Sequence, residues 1–178
     1  MKITLHWTSS GLVASVAVVE NDTLLAEYTV NYKKTHSQTL LPMLDEISNM
    51  TELDLSTIDA IAVAGGPGSF TGLRIGSATA KGLGLALEKP LISIPTTAAI
   101  AYNIWDTDKF VCPIMDARRN QVYTGVYCYT DHRLDTVWEQ DTMSIEALAE
   151  GLNLPRPRSD FPSGTALRFD RENVNRQC

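Results

Sequence analysis

A glycine-rich segment, residues 65–72, contains the residues of this sequence best suited to contact a ligand. Glycine allows positive φ angles and a close approach of the backbone, and a helix that follows such a segment offers unpaired N–H groups to an anion. The pattern therefore favours a phosphate contact through Gly66, Gly68, Ser69 and Thr71. Because the Lys-Ser/Thr pair of a P-loop and the third glycine of the dinucleotide fingerprint are both missing, the alternative is a tight strand-to-helix turn capped by Ser69 or Thr71.

Metal-binding and nucleophilic motifs are not found in the sequence. His6, His36 and His132 lie outside the spacing of zinc motifs, and the three cysteines form no CxxC pair. We therefore predict no metal site, and we interpret the cysteines as free thiols. A charged turn with Asp116, Arg118 and Arg119 fits either a phosphate or carboxylate contact or a solvated turn with local ion pairs.

Small residues recur every four positions along the helix expected over residues 73–88, which gives a stripe of Gly72, Gly76, Ala80 and Gly84. Such a stripe lets another backbone approach closely. The preceding helix, which follows a capping-box spacing at residues 35–38, contributes Leu40, Met43, Leu44 and Ile47. We predict that these eight residues form a partner-binding surface. The alternative for the stripe is a neighbouring helix or strand of the same chain.

The elements that position these residues alternate between strands and helices. Strands are predicted around residues 3–7, 13–19, 24–30, 58–64 and 91–94, with helices ending near residues 50, 88 and 105. This β-β-β-α-β-α-β order matches a ribonuclease-H-like unit, an α/β fold in which an antiparallel edge joins a parallel sheet. Strands over 110–115 and 121–129 and a helix over 145–151, capped by Ser144, begin a second unit that the sequence does not complete.

Three regions follow from this pattern: an N-terminal lobe over residues 1–105, the start of a second and incomplete lobe over 106–154, and a tail over 155–178. The tail is rich in arginine and proline, with a net charge of +2 from five arginines and three acidic residues. We expect it to be loose, and either native or a product of truncation.

Composition limits the classes of function. The chain has 178 residues, 44% of them hydrophobic, and a net charge of −6. This charge disfavours a free-standing nucleic-acid binder, because phosphate backbones are repelled. Direct tRNA binding would have to depend on the arginines of the tail. Neither a signal peptide nor a transmembrane stretch is apparent, so we expect a cytoplasmic protein without membrane contact.

Five blocks of the sequence resemble the TsaB (YeaZ) family: residues 36–38, 41–45, 66–76, 80–83 and 116–118. The block GPGSFTGLRIG, residues 66–76, is highly specific. The resemblance implies the actin-like ATPase fold and a non-catalytic subunit that binds TsaD directly. With TsaE and TsaC, such a subunit supports formation of N6-threonylcarbamoyladenosine in tRNA.

The resemblance further implies a homodimer when the chain is alone, and contact with tRNA only through the complex. It implies no cofactor for the chain itself, with ATP or ADP and magnesium bound in the partner complex. One departure strengthens this expectation: the family's usual Asp-Thr-Ser is replaced by Trp7-Thr8-Ser9, and an indole cannot ligate magnesium. The alternative is a nucleotide-binding ATPase or phosphotransferase of the same fold, for which Asp59 and Asp116 are the acidic candidates.

Overall fold

The computed structural model describes residues 3–8, 13–31 and 38–152, and the backbone of residues 165–169. The chain divides into two compact units, Met1–Thr96 (unit 1) and Thr97–Cys178 (unit 2). The predicted boundary after residue 105 is therefore too late, because Ala101 and Ile104 pack against Val111 and Tyr127 of unit 2. None of the helices in the described residues combines the length and the hydropathy needed to span a bilayer.

Unit 1 contains a five-stranded mixed sheet in the order β3-β2-β1-β4-β5. β1 pairs antiparallel with β2 and parallel with β4. The strands are β1 Ile3–Thr8, β2 Ala14–Glu20, β3 Thr23–Val30, β4 Ala60–Gly66 and β5 Leu91–Pro95. The helices are α1 Leu40–Thr51 and α2 Phe70–Leu87, with a short 3-10 helix at Leu55–Thr57. This order confirms the predicted ribonuclease-H-like unit.

The core of unit 1 is built on strand alternation. Ile3, Leu5 and Trp7 of β1 are buried, whereas the residues between them are only partly buried. They belong to one continuous apolar cluster with residues of β2, β4, α1 and α2. Because α1 and α2 both contribute to this cluster, the sheet and the two helices stabilise each other.

The start of α1 agrees with the expectation for its proline. Pro42 lies in the first turn, where its missing N–H removes no helical hydrogen bond. The predicted capping box begins at Thr35, which lies outside the described residues, and α1 itself begins at Leu40.

Unit 2 contains a four-stranded antiparallel sheet in the order β8-β7-β6-β9. Its strands are β6 Phe110–Arg118, β7 Gln121–Thr130, β8 Arg133–Ser144 and β9 Thr165–Phe169. α3 Thr96–Ala101 begins at the junction with unit 1, and α4 Ile145–Gly151 follows β8. The hydroxyl of Ser144 accepts a hydrogen bond from the N–H of Ala147 at 3.1 Å, which confirms the predicted cap of α4.

Two strands of unit 2 differ from the sequence prediction. β8 was not predicted, because it is an edge strand with charged residues exposed along it and its alternation is weak. β9 lies within the segment expected to be a loose tail, yet its backbone pairs with β6 from Phe110 to Ile114. Thus residues 165–169 belong to the sheet, and the expectation of a loose tail is wrong for them.

Candidate functional site

The glycine-rich segment joins β4 to α2. Gly66 has φ +104°, a conformation that favours glycine, and a Cβ there would lie 3.2 Å from Leu73 Cδ1. A Cβ on Gly65 would overlap the Ser93 hydroxyl on β5. Gly66 is therefore needed for the turn itself, whether or not a ligand binds, whereas a side chain at Gly65 would require the Ser93 hydroxyl to move.

The four residues predicted to contact phosphate differ in burial and in hydrogen bonding. Ser69 caps α2, since its hydroxyl accepts a hydrogen bond from the N–H of Gly72 at 3.3 Å. Thr71 is exposed, Gly68 is half-buried and Gly66 is buried. The interpretation as a turn capped by Ser69 is therefore confirmed. The phosphate contact through Gly66, Gly68, Ser69 and Thr71 stays a prediction.

The stripe of small residues on α2 lies inside unit 1. Gly72, Gly76, Ala80 and Gly84 are all buried. Trp7 of β1 packs in the same core, and its indole N–H donates a hydrogen bond to the carbonyl of Gly76 at 3.2 Å. A helix of small residues thus allows a large indole to fit between sheet and helix, which is the internal packing considered as the alternative.

The four residues predicted on α1 lie inside unit 1 as well. Leu40, Met43, Leu44 and Ile47 are each less than 5% exposed and belong to the same cluster as Trp7. This corrects the predicted partner-binding surface. All eight residues are buried inside unit 1.

The outer face of α2 has a different composition and was not predicted from the sequence. Phe70 and Leu85 are 74% and 83% exposed. The same face has a second series of small exposed residues spaced four apart: Ala78, Gly82 and Ala86. The same spacing rule that revealed the inner stripe could have revealed this one, but spacing alone does not show which stripe faces the sheet.

Gly82 has no role inside the chain that the structure shows. A Cβ added there would meet no heavy atom within 4 Å, and glycine in an exposed helix interior costs about 1 kcal/mol relative to alanine. At the start of the same face the Arg74 guanidinium carbon lies 5.2 Å from the centre of the Phe70 ring, a cation–π contact that fixes an exposed aromatic side chain. These features are typical of a surface that another helix approaches closely.

Two residues of unit 1 considered for a magnesium-bound nucleotide make contacts inside the chain. The Trp7 indole is buried and hydrogen-bonded to α2. Asp59 lies just before β4, at the end of this strand opposite to the glycine-rich segment, and its carboxylate accepts a 2.6 Å hydrogen bond from the N–H of Ile3. Across the described parts of the chain, no group of three His, Cys, Asp or Glu side chains could hold a metal ion.

The charged turn between β6 and β7 is held by its own aspartate. The carboxylate of Asp116 accepts a hydrogen bond from the N–H of Arg118 at 2.7 Å. Arg118, Arg119 and Asn120 all have positive φ angles. The turn is exposed, which fits its interpretation as a solvated turn.

Comparison with known proteins identifies related sequences and structures. The family model of TsaD, described as tRNA N6-adenosine threonylcarbamoyltransferase, matches residues 23–171. The tRNA threonylcarbamoyladenosine biosynthesis protein TsaB of Bacillus subtilis is 37% identical over 129 residues, which cover 72% of this chain and 56% of that protein. The TsaB protein of Escherichia coli is 36% identical over 115 residues, or 64% of this chain and 49% of that protein.

A solved structure agrees with these relatives. YeaZ from Pseudomonas aeruginosa superimposes with a TM-score of 0.73 at 30% identity, over 82% of this chain and 68% of that one. The present chain therefore spans about half the length of the two TsaB relatives and about two thirds of the YeaZ structure. The family-model match extends through β9.

Proposed function

Because the chain belongs to the TsaB (YeaZ) family, whose members share the TsaD-like, actin-like ATPase fold, we propose that it is a non-catalytic subunit of the machinery that forms N6-threonylcarbamoyladenosine in tRNA. In this role it binds TsaD directly and contacts tRNA only as part of the complex. TsaE and TsaC act in the same pathway. The observation that supports this role most strongly is the match to proteins named for tRNA threonylcarbamoyladenosine biosynthesis.

We infer that the chain requires no cofactor of its own. By the family resemblance Trp7 replaces the acidic residue that would organise magnesium, and its buried indole, hydrogen-bonded to α2, offers no oxygen ligand. The nucleotide-dependent alternative loses its acidic candidate in unit 1, because the Asp59 carboxylate is bonded to the start of β1. ATP or ADP with magnesium would then be bound by the partner complex.

We place the TsaD-binding surface on the outer face of α2, defined by Phe70, Arg74, Ala78, Lys81, Gly82, Leu85 and Ala86. Small residues in the middle of this face allow close contact of helix backbones, and the two exposed apolar side chains supply surface to bury. In the absence of TsaD the same face would pair with a second copy of the chain, which gives the expected homodimer.

Binding to TsaD tests this proposal directly. The purified chain is mixed with TsaD, complex formation is followed by size-exclusion chromatography, and threonylcarbamoyl transfer to tRNA is assayed with and without the chain. Gly82→Leu places a large side chain in the middle of the outer face, where it meets nothing within the chain. We expect this variant to stay folded and to bind TsaD at least 30-fold more weakly, on the order of 2 kcal/mol for a central interface position.

Two matched variants control for indirect effects. Gly82→Ala should keep the complex and stabilise unit 1 by about 0.5–1 kcal/mol, because alanine is the better helix former. Leu24→Ser changes an exposed apolar residue on β3 and should leave binding unchanged. Equal binding by wild type and Gly82→Leu would exclude the outer face of α2. No complex with wild type, together with magnesium-dependent ATP turnover by the isolated chain, would favour the nucleotide enzyme.

A further inference from the structure

Unit 2 carries a patch of exposed aromatic rings that the proposed function does not use. Tyr102 and Trp105 are 49% and 59% exposed, and both contact the buried ring of Tyr129. Their ring centres lie 6.0 Å apart with the planes inclined by only 19°. We call these two exposed side chains the aromatic patch. Exposed Trp and Tyr side chains grouped in this way are typical of binding hot spots.

The buried ring of Tyr129 supports the aromatic patch. Trp105 meets Tyr129 at 5.3 Å and 70°, and Tyr102 meets it at 6.1 Å and 85°, so each ring makes an edge contact with the same buried support. The backbone after α3 continues in tight turns, since the Tyr102 N–H bonds to the Ala98 carbonyl and the Ile104 N–H to the Ala101 carbonyl. The rings are therefore preorganised, which lowers the entropic cost of binding a partner.

A carboxylate is next to Trp105 in the chain. Asp106 follows Trp105, and one of its oxygens lies 2.6 Å from His132 Nδ1, which leaves its second oxygen to accept from a partner. Asp108 and Asp131 are exposed close by in sequence, as is Arg133, whereas Lys109 is partly buried. Over the whole of unit 2, residues 97–178, there are twelve acidic residues and nine Lys and Arg. This charge disfavours a nucleic acid and favours a cationic partner.

We propose that the aromatic patch and Asp106 bind an arginine side chain in a segment of a partner protein. The flat guanidinium stacks on an exposed ring face while its N–H groups donate to the carboxylate. Lysine has no planar group and cannot make both contacts in this way. This contact lies on unit 2 and is independent of the α2 surface that we assign to TsaD.

Nuclear magnetic resonance of the tryptophan indole groups tests the proposal. The chain has three tryptophans, of which Trp7 is buried in unit 1 and serves as an internal reference. The probes are the peptide Gly-Arg-Gly-Arg-Gly and its citrulline counterpart, which has the same shape without the charge. We expect the arginine peptide to shift the Trp105 indole signal in a saturable manner, the citrulline peptide to have little effect, and the Trp7 signal to stay unchanged.

Three substitutions locate the contact. Tyr102→Ala and Asp106→Asn should each weaken peptide binding about 3- to 5-fold, and Asp106→Asn should also reduce its salt dependence. Tyr28→Ala, which removes an exposed aromatic ring from β3 of unit 1, is the matched control and should have no effect. An unshifted Trp105 signal, equal binding of both peptides, or a Trp105 shift with oligouridine instead of the arginine peptide would each overturn the proposal.

Discussion

Each unit contains three meandering strands followed by a helix, β1–β3 with α1 in unit 1 and β6–β8 with α4 in unit 2, but the units complete their sheets in different ways. In unit 1 the central strand β1 lies between an antiparallel and a parallel neighbour. In unit 2 the corresponding strand β6 lies between two antiparallel neighbours, β7 and β9. A parallel neighbour requires a crossover, usually helical, whereas an antiparallel one does not.

This difference determines how much apolar surface each unit buries. The 12 residues of α1 and the 18 of α2 cover the sheet of unit 1 and close one continuous core. Unit 2 has the six-residue α3 and the seven-residue α4, and among its described residues the buried side chains form two smaller clusters. Helical crossovers thus provide the larger core, and unit 1 should be the more stable of the two.

The largest expected effect is the loss of the indole that joins sheet to helix in unit 1. Trp7→Ala should lower the free energy of unfolding by about 3–5 kcal/mol, because it leaves a cavity beneath α2. Trp7→Phe, which retains a ring but loses the hydrogen bond to the Gly76 carbonyl, should cost less. Urea unfolding measures both changes. If Trp138→Ala, at a half-buried position of unit 2, destabilised the protein more than Trp7→Ala, the assignment of the larger core would be wrong.

A second difference should appear at alkaline pH, in unit 2. Burial raises the pKa of the Cys112 thiol to about 11, with a partial opposing effect of its hydrogen bond to Thr124. Because the folded state favours the protonated thiol, the contribution of Cys112 to the free energy of unfolding is complete below pH 9 and is lost as the pH rises towards 11. The expected loss is about 2–3 kcal/mol.

Cys112→Ser replaces the thiol beside Thr124 with a hydroxyl, which does not titrate in this pH range. The difference in unfolding free energy between wild type and this variant, measured by urea unfolding at pH 8 and pH 10.5, should therefore depend on pH. A difference that stays constant between these two pH values would contradict the effect of burial.

The smallest effect concerns unit 1 at acid pH. Partial burial lowers the pKa of the His6 imidazole below its usual 6.5. The folded state then favours the neutral ring, so stability is complete above pH 6.5 and decreases as the pH falls through the lowered value. His6→Gln should reduce the acid sensitivity of unit 1 between pH 7 and 5, as followed by hydrogen exchange of β1 amides. Unchanged acid sensitivity in His6→Gln would assign the effect to other groups.

Patterns among residues close in sequence predicted most strands and helices of unit 1 and the cap of α2. Alternation predicted β1, the glycines predicted the turn before α2, and Ser69 was a candidate cap because its hydroxyl can reach the N–H of Gly72. Each of these features depends on residues close in sequence. The small-residue stripe was assigned to a partner surface, whereas it packs inside unit 1. Periodicity identifies a face of a helix but not what packs on it, which the position of Trp7 shows.

Non-local pairings limited the prediction in unit 2. β9 pairs with β6, more than fifty residues earlier, and no property of its five residues reveals this partner. The aromatic patch was missed for the same reason, since Tyr129 is separated from Tyr102 and Trp105 by two strands' length of chain. Sequence patterns indicated the elements, while tertiary contacts determined which of their faces remained exposed.

The late position of β9 has a consequence for synthesis on the ribosome. All five strands of the unit 1 sheet lie within residues 1–96, so this unit can fold while the rest of the chain is being translated. The sheet of unit 2 lacks a strand until residue 169 has been made, which at ~5–20 residues per second is on the order of ten seconds later. From the synthesis of residue 118, the end of β6, until that of residue 169, β6 exposes an unpaired edge, and nascent chains on neighbouring ribosomes would compete with β9 for it.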